Sequence, residues 1–152
     1  NDERICIALA NMWAQIKVKV KVSGEPRATY FPGLEKYDFS MYMLGWGGSV
    51  TDAETTLTPV MRNNLGEKGI GFYNYGHSRN DKLDALAAQS STEADPKKRE
   101  ALIKAALREY REQFTALPLH RQVIPWAARS NVNVVHRADN WFEVSWVTIA
   151  GK

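Results

Sequence analysis

Residues 17–48 read KVKVKVSGEPRATYFPGLEKYDFSMYMLGWGG, and this stretch decides the fold class. Val18, Val20 and Val22 alternate with Lys17, Lys19 and Lys21, the period-two pattern of a half-exposed edge strand with one wet face. Residues 39–44 are apolar almost throughout, which predicts a second strand covered on both faces. Between them, Ser23-Gly24-Glu25-Pro26 ends the first strand. Residues 27–36 predict a helix interrupted at Pro32-Gly33, because proline has no N–H and its ring meets the preceding turn. Strand, helix and strand joined by short links predict a βαβ unit and an α/β layer architecture.

The flanking segments extend that pattern. Upstream, Asn1 can cap a helix with Asp2 and Glu3 in its first turn. Ile5, Leu9, Met12, Trp13 and Ile16 recur on one face of it. Downstream, Thr51-Asp52-Ala53-Glu54 has capping-box spacing and predicts a helix running towards Asn63. Residues 66–76 form a loop rich in Gly and Asn that carries Phe72, Tyr73 and Tyr75. Asn80 can cap a helix bearing Leu83, Leu86 and Ala87. Asp95-Pro96 combines a capping residue with proline at the first helical position, and Leu102, Ile103, Ala106, Leu107, Tyr110 and Phe114 supply that helix's buried stripe. Residues 117–127, 132–135 and 141–149 predict strands or near-strands. No internal repeat or linker divides residues 1–152, so one domain is expected.

Composition narrows the function classes. A chain of 152 residues can bury roughly two thirds of its unfolded surface. Hydrophobic residues at 44% and charged residues at 24% are those of a globular protein without disordered tracts. No apolar run approaches the roughly 20 residues of a membrane span. The net charge of +3 comes from 20 basic and 17 acidic residues with no concentrated patch. The densest run, Pro96-Lys97-Lys98-Arg99-Glu100, sits at a helix start as a solvated face, so no nucleic-acid partner is expected. Cys6 stands alone, which rules out an internal disulfide or a cysteine-based metal site. Asn1-Asp2-Glu3-Arg4 opens directly on a helix cap, with neither an initiator methionine nor a leader, and so predicts a fragment.

Signatures of enzyme chemistry are missing from the sequence. There is no Gly-x-Ser-x-Gly elbow, and Ser49 has no nearby partner that would activate it. His77, His120 and His136 lack the i, i+4 pairing of a zinc site and read as hydrogen-bonded structural residues. Gly45-Trp46-Gly47-Gly48 lacks the lysine of a phosphate loop and the spacing of a dinucleotide fingerprint. The expectation is a protein that is not an enzyme and holds no cofactor or metal.

Five tryptophans and six tyrosines are many for this length, and several stand beside turns. Trp46 follows the second strand, lies among glycines and precedes a capped helix. Ligands of open α/β sheets bind beyond the carboxyl ends of the strands. Glycines there admit a ligand to the backbone, and an aromatic ring gives it a flat wall. The N–H groups of the following helix start favour an anionic or carbonyl group. The alternative reading is that Trp46 plugs the core at a tight turn, and spacing alone leaves the two open.

The stretch from Tyr30-Phe31 to Leu44-Gly45-Trp46-Gly47 is similar to the family-5 extracellular solute-binding proteins, where an aromatic pair leads into DFSMYMLGWG. Tyr73-Asn74-Tyr75-Gly76 with Asn80 and Leu83-Asp84-Ala85-Leu86, then Asp95-Pro96-Lys97-Lys98-Arg99, then Leu117-Pro118-Leu119-His120, resemble further family motifs in the same order. The resemblance implies the C-terminal lobe of a two-lobed, periplasmic-binding-protein-like protein, with a mixed sheet flanked by helices and the N-terminal lobe absent from this chain. It implies a binding component of an ABC importer, periplasmic or tethered as a lipoprotein outside the membrane. Its partners would be a peptide or other small solute, the other lobe and a membrane permease. The expected ligand-binding residues are Trp46, Gly47, Gly48, Ser49, Asp52, Asn74 and Tyr75, with Gln122 and Trp126 in reserve, although packing explains Tyr75, Gln122 and Trp126 as well. In relatives an aspartate stands where Ser49 is and pairs with a peptide α-amino group. Here either Asp52 takes over, or the ligand has no free amino terminus there. Asp81 also replaces the proline of the family's Asn-Pro. Dipeptides, longer or modified peptides, sugars and nickel chelates remain open as ligands. The alternative function is a protein–protein interaction module without a small ligand, whose exposed aromatics lead the fragment to self-associate.

Overall fold

The computed structural model describes residues 2–48, 50–66, 69–137 and 139–151. Its packed part is a helical hairpin. Helix α4 (Asp81–Thr92) and helix α5 (Pro96–Glu112) lie against each other, and α3 (Glu54–Thr56) with the π-helical turn Leu57–Met61 closes their open side. Both helix starts follow the sequence reading. Asn80 accepts a hydrogen bond from the Leu83 N–H at 2.9 Å. Asp95 accepts from the Lys97 and Lys98 N–H groups at 2.9 Å each, with Pro96 in the first turn where its missing N–H costs nothing.

Leu57, Ala87 and Ala106 form the innermost cluster, each 0% exposed, and Ala53, Met61, Leu86 and Ile103 pack around it. The two alanines explain the geometry. Their small side chains let α4 and α5 approach closely, and the Leu57 side chain fills the groove between them. Fully buried Ser90 donates to the Ala87 carbonyl at 2.8 Å, satisfying its hydroxyl within the helix.

Helix α1 (Asp2–Gln15) forms as predicted but buries none of its residues; its attachment includes a 3.6 Å contact from Cys6 Sγ to Met43 Sδ. The predicted break at Pro32-Gly33 does not occur. Helix α2 (Arg27–Glu35) runs through Pro32, because a helix of this length loses only the one bond that Pro32 would donate. After it the chain turns back through Tyr37, at φ 60°. That turn lays Phe39 against Gly33 so closely that a Cβ there would come within 2.8 Å of the ring, which is why glycine stands at this position.

The largest correction concerns the strands. Among the described residues the sheet has two short antiparallel strands, β1 (Val132–Asn133) and β2 (Thr148–Ile149), paired Val132 with Ile149 and Asn133 with Thr148. Residues 17–22, 39–44 and 117–127 run without ladder partners, and residues 144–146 form a 3₁₀ turn where a strand was expected. Among the described residues the βαβ unit and the mixed sheet are therefore not formed. A parallel pair is weak by itself and needs cover on both faces, and α2 covers too little. The result is a helix-rich α/β architecture with a small two-stranded sheet. It exposes 11983 Å², against roughly 7,800 Å² for a compact monomer of this mass.

Candidate functional site

The site is built by a proline. In an α-helix the N–H of residue 59 would bond the carbonyl of Thr55, but Pro59 has none, and the backbone widens into the π-helical turn. The Thr55 carbonyl accepts instead from the Trp46 indole N–H at 3.2 Å. The carbonyls of Thr58 and Pro59 accept from the Gly71 and Tyr73 N–H groups at 2.7 and 2.8 Å. One irregular turn thus holds both Trp46 and the loop of Tyr73, and their rings meet at 5.0 Å and 52°. Phe72 packs edge-on against Tyr73 at 5.0 Å. Trp46 stays 40% exposed and Phe72 48%.

The glycines beside Trp46 divide in role. A Cβ on Gly48 would lie 2.4 Å from Thr55 Oγ1, so the close approach of this turn to α3 requires glycine. A Cβ on Gly47 would meet nothing within 4 Å, so Gly47 leaves an open backbone next to the indole. Ser49 lies outside the described residues.

Asp52 is occupied. Its Oδ1 accepts the Glu54 N–H at 2.8 Å and one Arg99 N–H group at 2.9 Å, while Oδ2 accepts the other Arg99 group at 2.9 Å. This two-toothed pair, together with the Glu54 N–H, holds the Asp52 carboxyl below the usual carboxylate range, the Arg99 hydrogen bonds being the largest cause. The expected Thr51–Glu54 capping box is replaced by this arrangement, since Ala53 precedes the helix without a side-chain cap bond and Asp52 binds the N–H two residues on. Glu54 turns inward. One of its carboxylate oxygens accepts from the Thr58 hydroxyl, and the other is buried without a hydrogen-bond partner. Asp52 and Arg99 border a shallow concavity of about 420 Å³ with Thr51, Pro96 and Ile103.

Asn74 and Tyr75 sit behind the aromatic wall. Asn74, 5% exposed, donates to the carbonyls of Arg62 and Ser78 and accepts from the Ser78 N–H and hydroxyl. Its amide is spent on shaping the loop. Tyr75 is 7% exposed among Phe31, Tyr42 and Tyr73, and burial pushes its phenol and that of Tyr42 upward. The loop is tied to α4 by Asp84, which accepts from Arg62 Nε and Nη2 at 3.0 and 2.9 Å and from the Asn63 N–H at 3.0 Å. Asn63 in turn donates to Asp81 and accepts from the Asn80 N–H. Gln122 lines a separate groove of about 570 Å³ between α1 and residues 119–122. Trp126 donates to Asn140 at 2.7 Å and stacks on His136 at 4.8 Å.

The structure thus brings together Trp46, Gly47, Gly48 and Asp52, and places Asn74 and Tyr75 one layer below. Tyr73 and Arg99 are the residues that site reasoning from sequence passed over. Arg99 is 47 positions from Asp52, and its one signal was its place at the end of Asp95-Pro96-Lys97-Lys98-Arg99.

The chain is 28% identical over 139 residues to the periplasmic murein peptide-binding protein MppA of Escherichia coli (strain K12), which covers 88% of this chain and 25% of that protein. It is 25% identical over 133 residues to the oligopeptide-binding protein OppA of Bacillus subtilis (strain 168), covering 87% of this chain and 23% of that one. Both are peptide-binding proteins of the family that the motifs resemble, so that resemblance is borne out along nearly the whole chain. The chain spans about a quarter of the length of these curated relatives. No protein-family model matches the chain, and no solved structure matches it.

Proposed function

We propose that this chain, a piece of a family-5 peptide-binding protein, is a single lobe forming one wall of a ligand cleft in the binding component of an ABC importer. The solute lies against Trp46 and the open backbone of Gly47, with Gly48 beside them. The whole protein works in the periplasm, or tethered outside the membrane, and delivers its ligand to a permease. The observation that carries this reading is the exposed indole of Trp46, fixed by its own N–H and by Tyr73 while the backbone next to it stands open. A preformed aromatic wall beside bare peptide groups suits main-chain recognition of a peptide. Asn74 and Tyr75 act by shaping the loop under Tyr73.

The occupied carboxylate of Asp52 bears on the ligand's chemistry. Both of its oxygens are engaged by Arg99, so binding a ligand ammonium would mean breaking a two-toothed ion pair. With Ser49 neutral, the favoured ligand is a peptide or related solute without a free α-amino group at this end. The complete precursor, purified from the periplasm, should release a mass of a few hundred daltons that fragments as such a peptide in native mass spectrometry. A co-purified peptide with a free amino terminus would remove the blocked-end reading, and the absence of any ligand from a peptide library would remove the peptide reading. Trp46→Ala should raise the dissociation constant about 10- to 100-fold with an unchanged circular dichroism spectrum. Unchanged affinity would take Trp46 out of the site.

A further inference from the structure

Arg99 is held in one place by hydrogen bonds at both sides of its guanidinium. Its Nε donates to the Ser90 carbonyl at 3.1 Å, in the last turn of α4, and its two outer nitrogens donate to the Asp52 carboxylate oxygens at 2.9 Å each. The core sets that place. Ser90 is 0% exposed, and α5 starts at Pro96 under the Asp95 cap, so Arg99 comes one turn into α5. Ile103, one turn further on, packs against the Leu57 cluster. The Asp52 side chain is nonetheless 40% exposed and that of Arg99 29%. Water reaches this carboxylate, and what withholds it from a ligand is the guanidinium. We propose that Arg99 is a specificity-determining residue of the ligand site: anchored on the Ser90 carbonyl, it keeps Asp52 from the ligand and so turns away solutes with a free α-amino group. This rests on the reading of the Trp46 turn as the ligand wall.

Two effects act together. An ammonium that replaced Arg99 on Asp52 would have to break two charge-assisted bonds made by a planar fork, and the fork cannot swing aside without giving up the Ser90 carbonyl as well. An ammonium that joined Asp52 with Arg99 still in place would stand beside a second cation, at a spacing where like charges repel. A blocked end meets neither obstacle, because an amide needs no carboxylate. Asp52 is also fastened to the wall itself. Its backbone carbonyl accepts from the Thr55 hydroxyl at 2.7 Å, and Thr55 holds the Trp46 indole through its own carbonyl and lies against Gly48. Whether Asp52 is engaged or released is therefore felt next to the ligand.

The test uses the complete polypeptide, freed of bound ligand and incubated with a tripeptide library of which half is N-acetylated. Mass spectrometry of the retained peptides gives the ratio of free to acetylated ends. The wild type should retain mostly acetylated peptides, and Arg99→Gln should shift the ratio towards free ends about 10-fold or more. Asp52→Asn added to Arg99→Gln should abolish that shift. Arg99→Lys, which keeps a cation beside Asp52, should keep the wild-type ratio. An unchanged ratio in Arg99→Gln overturns the proposal, as does a shift that survives Asp52→Asn or a wild type that retains mostly free ends. Where Arg99→Gln does not fold, Asp52→Asn alone decides. A ratio equal to that of the wild type supports a carboxylate already withheld, whereas loss of free-ended peptides means that Asp52 binds an ammonium beside Arg99 and overturns the proposal. A wild type that retains no peptide removes the ligand reading and this one with it, while peptides retained at one ratio by wild type and Arg99→Gln remove the role of Arg99 alone.

Discussion

Leu57→Ala should cost about 3–5 kcal/mol of stability, the upper part of the range for truncating a buried leucine. Leu57 is 0% exposed and stands between Ala87 and Ala106, also 0% exposed. Neither alanine can extend into the space left behind, and α4 and α5 can close over it only by shifting against each other. The cavity therefore stays, and its cost adds to the lost transfer free energy. Urea unfolding followed by helical circular dichroism should show a lower midpoint with an unchanged slope. Leu57→Met, which keeps the volume, should cost less than about 1.5 kcal/mol. Leu65→Ala, at a site 59% exposed, should stay within about 0.5 kcal/mol. If Leu57→Ala falls no further than Leu65→Ala, the hairpin is not the core of this chain.

What the sequence made legible followed from local chemistry. Asn80 and Asp95 cap the helices their side chains predicted, and helical periodicity, which depends on the helix alone, sets Ala106 and the partly buried Ile103 on the inner face of α5, whereas Leu107 and Phe114 of the expected stripe stay 40% and 87% exposed. The strands failed for the converse reason. Alternation at Val18, Val20 and Val22 says which face of a strand is apolar, but a strand exists only with a hydrogen-bonded neighbour, and no pattern within residues 17–22 supplies one. Trp46 could be placed beside a turn from its neighbours, whereas its anchoring needed Pro59, thirteen positions away, to release the Thr55 carbonyl. The same limit hid Arg99. Capping spacing explained Asp52 locally, so nothing in that segment pointed to a partner on another helix. Leu83-Asp84-Ala85-Leu86 was read as part of a family pattern, and the structure gives it a physical role, since Leu83 is 1% exposed and Asp84 fastens the loop.

From that fastening comes the last expectation, that Asp84→Ala should cost about 2–3 kcal/mol and weaken ligand binding without Asp84 touching the ligand. The Asp84 side chain is 20% exposed and that of Arg62 15%, so the two-toothed pair is only lightly screened by water. Removing the carboxylate also takes the acceptor from the Asn63 N–H. Asn63 bonds Asp81 and Asn80, and Asn74 bonds the Arg62 carbonyl, so the whole loop that carries Tyr73 to Trp46 loosens. Hydrogen bonding to Arg62, the largest cause, holds the Asp84 carboxyl below its ordinary value of 3.8. A group whose folded value is depressed contributes stability above its unfolded value and loses it as pH falls towards the folded one. The gap in stability between the wild type and Asp84→Asn should therefore be full at neutral pH and shrink below about pH 4. A gap that does not change with pH would mean that shape, not charge, fastens the loop. Asp84→Ala with lower stability but unchanged ligand affinity would instead separate the loop from the site, leaving Trp46 to hold its ligand without the Tyr73 ring behind it.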